Sequence, residues 1–366
     1  PERRWRSCSP ADPRVRKSQT RAARGILQST VGGGRTLEPS GRTIGGFLLA
    51  CLLLAAGAAH ALDPSHRVSE YTVTSWSMED GLPHNLVHAL EQDSDGYLWA
   101  GSWEGAARFN GREFTPFGSR TVPGIALSGV RVILRDRDSA LLFGTSQQGV
   151  VRLSHGQWST LEATAAQRLR ALSLLRDEHG ALWIGTDAGL WRMAEDGELQ
   201  NLGGIGGRPL GPVYRFLSLG DKGLLVASER GVFLWRDDRL EEWGGPRGLG
   251  EAPVRALLQR AVGSLAVAGS TGAFLFWPDG RKEEITGREI EAMLEDRDGT
   301  LWLSATSGGL LRYLDGRIET IDERLGLRGR ASQALMEDRE GLIWVGTTNG
   351  LFRIAERRWL AHLQPR

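Results

Sequence analysis

Two short acidic turns are the first places where this sequence could do chemistry: Asp93-Ser94-Asp95-Gly96 and Asp296-Arg297-Asp298-Gly299. A calcium ion takes six or more oxygen ligands, and a calcium-binding helical-hand loop needs a third acid and a later glutamate at fixed positions. Neither turn supplies them, so both read as hairpin turns whose Asp carboxylates bond nearby backbone N–H groups. The only cysteines, Cys8 and Cys51, lie ahead of the patterned part of the chain. A disulfide framework, a thiol nucleophile and a cysteine metal site are thereby excluded from it. The seven histidines, of which His60 and His66 precede that part, show no metal spacing. Glycoside hydrolysis asks for a positioned acid plus a nucleophile or base. Of the tyrosines that could serve, Tyr71, Tyr97 and Tyr313 fall in strand-like positions, leaving Tyr214 without an evident partner. No metal, cofactor or catalytic residue is expected.

The elements that would position any site come from an internal repeat. The segment Asp95-Gly96-Tyr97-Leu98-Trp99-Ala100-Gly101-Ser102 returns as Gly180-Ala181-Leu182-Trp183-Ile184-Gly185-Thr186 and as Asp298-Gly299-Thr300-Leu301-Trp302-Leu303-Ser304. It returns again as Gly341-Leu342-Ile343-Trp344-Val345-Gly346-Thr347, with weaker copies around Gly144, Ala227 and Ala268. Taking Gly101 as reference, the equivalents are Gly144, Gly185, Ala227, Ala268, Ser304 and Gly346, at spacings of 43, 41, 42, 41, 36 and 42 residues. A period near 40 residues is that of a propeller blade. The 49 glycines and 13 tryptophans of this 366-residue chain suit a turn-rich, all-β architecture.

Each copy reads as four short strands. In the first they are 87–91, 97–102, 106–110 and 113–117, with Asn110-Gly111 as a tight turn. The seventh shows only three, at 333–337, 342–347 and 351–354, while Tyr71-Thr72-Val73-Thr74-Ser75-Trp76 stands unpaired ahead of the first. Supplying the missing strand from the N-terminus closes the ring and hides two sheet edges. The expected fold is all-β: a seven-bladed β-propeller of four-stranded blades over 62–357, closed by an N-terminal strand. The alternative is the opening part of a larger propeller assembly continuing past Arg366. The Trp of each Leu-Trp pair is expected to pack between neighbouring sheets.

Loops joining second to third strands, and one blade to the next, crowd one face around a propeller's channel, which is the default pocket. That face would carry His84, Asn85, Trp103, Glu104, Gln147, Gln148, Asp187, Glu229, Arg230, Thr348 and Asn349, residues that differ from copy to copy while the framework repeats. Trp103 is distinctive, because the other copies hold small or polar residues there, and a loop aromatic suits carbohydrate or peptide contact.

The run Trp76-Ser77-Met78-Glu79-Asp80-Gly81-Leu82-Pro83, followed by Val87, Asp93, Gly96-Tyr97-Leu98-Trp99, Gly101, Gly105 and Arg108-Phe109-Asn110-Gly111, resembles the two-component-regulator propeller repeats. The likeness covers about residues 68–354 and is specific in copies one, three, six and seven; copies four and five lack the tryptophan. It implies an exported sensor propeller, often one of two in tandem. A membrane helix and a cytoplasmic kinase, cyclase or DNA-binding output would follow, and nothing after Ile354 matches those later parts. Gly-x-x-Trp at the second strand also resembles the Asp-box of sialidases, which would further need an arginine cluster and a Tyr nucleophile, but Ser94 occupies the place of its Asp.

The first 42 residues hold ten Arg or Lys against three acids, which leaves the rest at 35 basic and 41 acidic, a net of −6. A mildly acidic body gives no electrostatic reason to bind nucleic acid or an anionic membrane. The apolar stretch IGGFLLACLLLAAGAA at 44–59, after Arg42 and before His60-Ala61, describes a secretory signal over 42–61 with cleavage after Ala61. An uncleaved anchor is the alternative. A lipoprotein start at Cys51 is disfavoured because the apolar run continues past it. Residues 1–41 cannot build a core. With Pro1 first and Met78 the first methionine, a fragment or a start at Val31 or Leu37 is expected. Residues 358–366 read as a linker. The function expected is a periplasmic sensor for a small-molecule, oligosaccharide or peptide ligand, dimeric through later parts of the protein. It would meet the membrane only through a later helix or an uncleaved signal. A stand-alone periplasmic interaction scaffold is the alternative, with a propeller glycoside hydrolase third.

Overall fold

The computed structural model describes residues 62–205, 207–243 and 251–357. The sequence-assigned leader, signal and linker segments lie outside them. Seven antiparallel sheets form one ring, a seven-bladed β-propeller. The first blade is built from Val87–Gln92, Leu98–Ser102, Gly105–Phe109 and Phe114–Phe117. Each blade presents its first strand inward. These inner strands are Val87–Gln92, Val132–Arg135, Ala171–Arg176, Val213–Ser218, Val254–Gln259, Ile290–Glu295 and Ala331–Glu337, and each touches the inner strands of both neighbours. The third blade adds a two-residue strand, Arg208–Pro209, and a short helix, Glu162–Ala166, joins the second blade to it. In the seventh sheet Tyr71–Trp76 pairs antiparallel with Gly350–Glu356, Val73 opposite Ile354.

The repeated residues explain why the blades fit. In four blades an Asp closes the first turn with one carboxylate oxygen and holds the second-strand tryptophan with the other. Asp93 Oδ1 accepts the backbone N–H of Asp95 at 3.0 Å and of Tyr97 at 2.9 Å, while Oδ2 accepts the Trp99 indole N–H at 2.8 Å. Asp177–Trp183, Asp296–Trp302 and Asp338–Trp344 repeat the indole bond at 2.7 Å. The acid that matters is therefore the one three residues before the turn glycine, not the one beside it. All four indoles are buried, so each Trp wedges between sheets with its one donor satisfied. Blade two has Leu142 in the tryptophan's place. There Asp136 takes the Arg176 guanidinium of blade three instead, Nη2 to Oδ2 at 2.7 Å and Nε to Oδ1 at 3.0 Å.

The reference glycines mark where one blade's second strand nears the next blade's first. A Cβ on Gly101 would stand 2.6 Å from Val130 Cγ1, and one on Gly185 would stand 2.6 Å from the Val213 carbonyl oxygen. Packing this tight leaves no room for a methyl group.

Candidate functional site

Six inner strands carry an unlike residue at one equivalent position. Five have a β-bulge after their first residue, which leaves His88, Leu172, Tyr214, Arg255 and Glu291 unpaired in the ladder. Arg131 holds the position in blade two, immediately before Val132 pairs with Gly144. A bulge re-aims a side chain. With the ring closed, the six line one central cavity of about 350 Å³. Every bulge sits where the inner strand begins and the second strand ends, since Val87 pairs with Ser102. That is the face bearing the loop residues singled out in the sequence, so those loops rim the cavity and the bulge residues form its wall.

The loop residues divide by what their side chains already hold. Asn85 Oδ1 accepts the Met78 N–H at 2.8 Å, Gln148 Oε1 that of Ala126 at 2.8 Å, and His84 Nδ1 that of Leu86 at 2.9 Å. Thr348 Oγ1 accepts the Arg330 N–H at 3.1 Å. These four brace loops. Asp187 pairs with Arg170 at 3.2 Å, and Arg230 approaches Glu251 at 3.7 Å and the Pro209 carbonyl at 3.3 Å. Glu104, Gln147 and Asn349 are exposed. Trp103 is 43% exposed and sits between two cavity residues. The His88 ring lies in an edge-to-face arrangement with it, centroids 6.3 Å apart, and the Arg131 guanidinium lies over its face at 5.2 Å.

Glu229 connects rim to wall, accepting the Tyr214 hydroxyl at 2.7 Å. Tyr214 thus has the partner the sequence did not reveal. Burial, then the Glu229 bond, push its pKa up to about 12, so at neutral pH the phenol keeps its proton and donates it in the bond to Glu229. The Arg255 guanidinium lies over the Tyr214 ring at 4.8 Å and is held by Glu291 at 3.4 Å and Glu289 at 3.8 Å. Burial, reinforced by Arg131 and His84, brings His88 down to about 4, and it is a neutral imidazole at pH 7. Burial raises Glu91, also in the wall, to about 6 against the pull of Arg135. Among the described residues no group of three His, Cys, Asp or Glu is arranged to hold a metal.

The wall residues have no local signal, because the bulge breaks the strand alternation that would assign them a face. Their signal lies in the aligned column: Val87-His88-Ala89-Leu90, Val130-Arg131-Val132-Ile133, Ala171-Leu172-Ser173-Leu174, Val213-Tyr214-Arg215-Phe216, Val254-Arg255-Ala256-Leu257 and Ile290-Glu291-Ala292-Met293. One position varies without rule inside a frame that is apolar or small everywhere except at Arg215 of blade four.

The family comparison matches the two component regulator propeller at residues 81–104 and 326–349. Both stretches run from a left-handed glycine, Gly81 or Gly326, through an inner strand to the loop after the second strand. These are two-component-regulator propeller repeats. No curated protein matches the chain. Among solved structures, the extracellular domain assigned to a hybrid two component system of B. thetaiotaomicron is 19% identical, with TM-score 0.67 over 78% of this chain and 42% of that one. A second such domain from that organism is 18% identical, TM-score 0.65, over 80% of this chain and 40% of its own. The chain thus spans about two fifths of each. A streptogramin B lyase, 13% identical, is covered over its full length with TM-score 0.63. At these identities the likeness is one of fold.

Proposed function

We propose that this chain is the exported, ligand-binding sensor propeller of a signal-transduction receptor of two-component or cyclic-di-GMP type, with no catalysis of its own. The observation that carries this reading is the wall of the central cavity. A single backbone frame presents His88, Arg131, Leu172, Tyr214, Arg255 and Glu291 at one equivalent position, where packing alone would be served by any repeated residue. A scaffold that keeps its frame and varies one inward position is built to recognise something asymmetric. The family of the repeats and the extracellular neighbours support a sensor, and the apolar run at 44–59 supports export to the periplasm.

The test is a ligand screen on the purified full chain with small molecules, oligosaccharides and peptides, read by melting temperature and tryptophan fluorescence. A ligand should raise the melting temperature by mass action, and Trp103→Ala should abolish its fluorescence response without lowering the melting temperature of the free protein. Silence from all three classes, with a protein partner captured on the same face, would replace the sensor with an interaction scaffold.

A further inference from the structure

Arg215 occupies the residue just after the bulge in blade four, and its side chain is exposed to the central cavity. The corresponding residues of the other blades are Ala89, Val132, Ser173, Ala256 and Ala292, with Ala334 of blade seven standing against Gly346 as Ala89 stands against Gly101. The fold asks only for a small or apolar side chain here. Arg215 forms no ion pair or hydrogen bond with any described side chain, and the encircling ring lowers its pKa with no opposing charge.

Its surroundings do not compensate. Arg131, also in the wall, has a buried Nε without a partner and an aromatic face as its guanidinium's only described contact. The third cation, Arg255, is already held by Glu291 and Glu289, and Glu91 faces Arg135 at 4.0 Å. His88 is neutral. Two guanidinium groups therefore face one cavity without counter-charge, and low-dielectric walls focus their field. Arg215 is held toward the cavity without a partner, and the alanines of other blades show that the fold does not need a cation here.

We propose that the central cavity binds a small molecule through an oxyanion, a carboxylate or a phosphate, with Arg215 as its principal contact and Arg131 as the second. A planar guanidinium donates two parallel N–H bonds to either group. A cavity of about 350 Å³ admits a ligand of small-molecule size. The inference rests on the ligand-binding reading above and narrows it to a charge class.

The experiment titrates inorganic phosphate and citrate separately into the full chain by calorimetry at constant ionic strength, with chloride as the balancing anion. Either anion should bind and raise the melting temperature; the one that binds identifies phosphate or carboxylate as the source. Arg215→Ala, which reproduces the residue of four other blades, should weaken binding about tenfold or more while melting at or above the wild-type temperature. Arg131→Gln should weaken it less. The proposal is overturned if neither anion binds up to about 10 mM, or if Arg215→Ala binds as tightly as wild type. Neutral oligosaccharides that bind while both anions fail would sink the oxyanion site and leave the sensor reading standing; silence from every class would end both.

Discussion

The guanidinium of Arg339, in the first turn of blade seven, donates to the backbone carbonyl of Asp93, in the first turn of blade one, at 2.7 Å across 246 positions of chain. It also reaches the Ser94 carbonyl at 3.0 Å, and its own N–H donates to Gln92 Oε1 at 2.9 Å. Arg297 does the same from blade six to the Asp338 carbonyl of blade seven at 2.8 Å. Arg260 carries it from blade five to Gly299 of blade six at 2.9 Å. The turns on the face opposite the cavity mouth are thus latched in sequence, and one latch joins the last blade to the first.

Arg339→Ala should therefore destabilise the ring by about 1 kcal/mol, the scale of exposed hydrogen bonds to a charged group after solvent screening. Urea unfolding followed by tryptophan fluorescence would show a lower midpoint at unchanged slope. An unchanged midpoint would mean that the latch is ornamental.

The Asp–Trp tie should matter more, because it is buried. Asp296 accepts the N–H of Trp302 at 2.7 Å, of Thr300 at 2.9 Å and of Asp298 at 3.1 Å. Asp296→Ala strands these donors, two of them in buried residues, and should cost about 2–4 kcal/mol. Asp296→Asn keeps one oxygen for the turn but turns an amide toward the indole, so it should fall between. Equal stability of the alanine variant and wild type in thermal unfolding would contradict the account.

Much of the fold was legible because its constraints are periodic. The tryptophans, the turn acids and the close-approach glycines recur at one spacing, and Tyr71–Trp76 reads as a strand by alternation alone. The loop candidates could be placed on one face by topology. What each side chain holds could not, since the bonds of Asn85 and Gln148 run to Met78 and Ala126 through loops of irregular shape. The wall of the cavity escaped because a β-bulge breaks the alternation that assigns faces. Tyr214 and Glu229 are 15 residues apart and meet only because the second strand folds back on the first. The latch of Arg339 on Asp93 joins opposite ends of the repeat and has no local signal.

Gly185 offers a steric test of the blade seam. Its missing Cβ would fall 2.6 Å from a backbone oxygen and 2.2 Å from Ser173 Oγ, so Gly185→Ala must push blade four away. A loss of about 1–3 kcal/mol is expected from overpacking, read as a lower melting temperature. At the same position of blade four, Ala227→Gly should cost about 1 kcal/mol or less. Tolerance of the Gly185 substitution would show that the blades can part freely.

Two titrating groups in the cavity wall should act on stability with opposite sign. His88 has a folded pKa of about 4 against 6.5 when unfolded. Between those values the unfolded chain binds the extra proton, so its contribution is present above pH 6.5 and is lost as pH falls toward 4. Its full size is at most about 3 kcal/mol. Glu91, raised to about 6 from 4.5, binds its proton more tightly when folded. It therefore favours the fold below about pH 4.5 and loses that contribution, about 2 kcal/mol at most, as pH rises through 6. The windows overlap and partly cancel in the wild type, so the variants must separate them. His88→Gln should lose less stability than wild type on going from pH 7 to pH 4.5, and Glu91→Gln should gain stability at pH 7 relative to pH 4.5. Denaturant midpoints across that range would decide it; parallel pH profiles for all three proteins would mean that neither group is held away from its ordinary titration by the cavity.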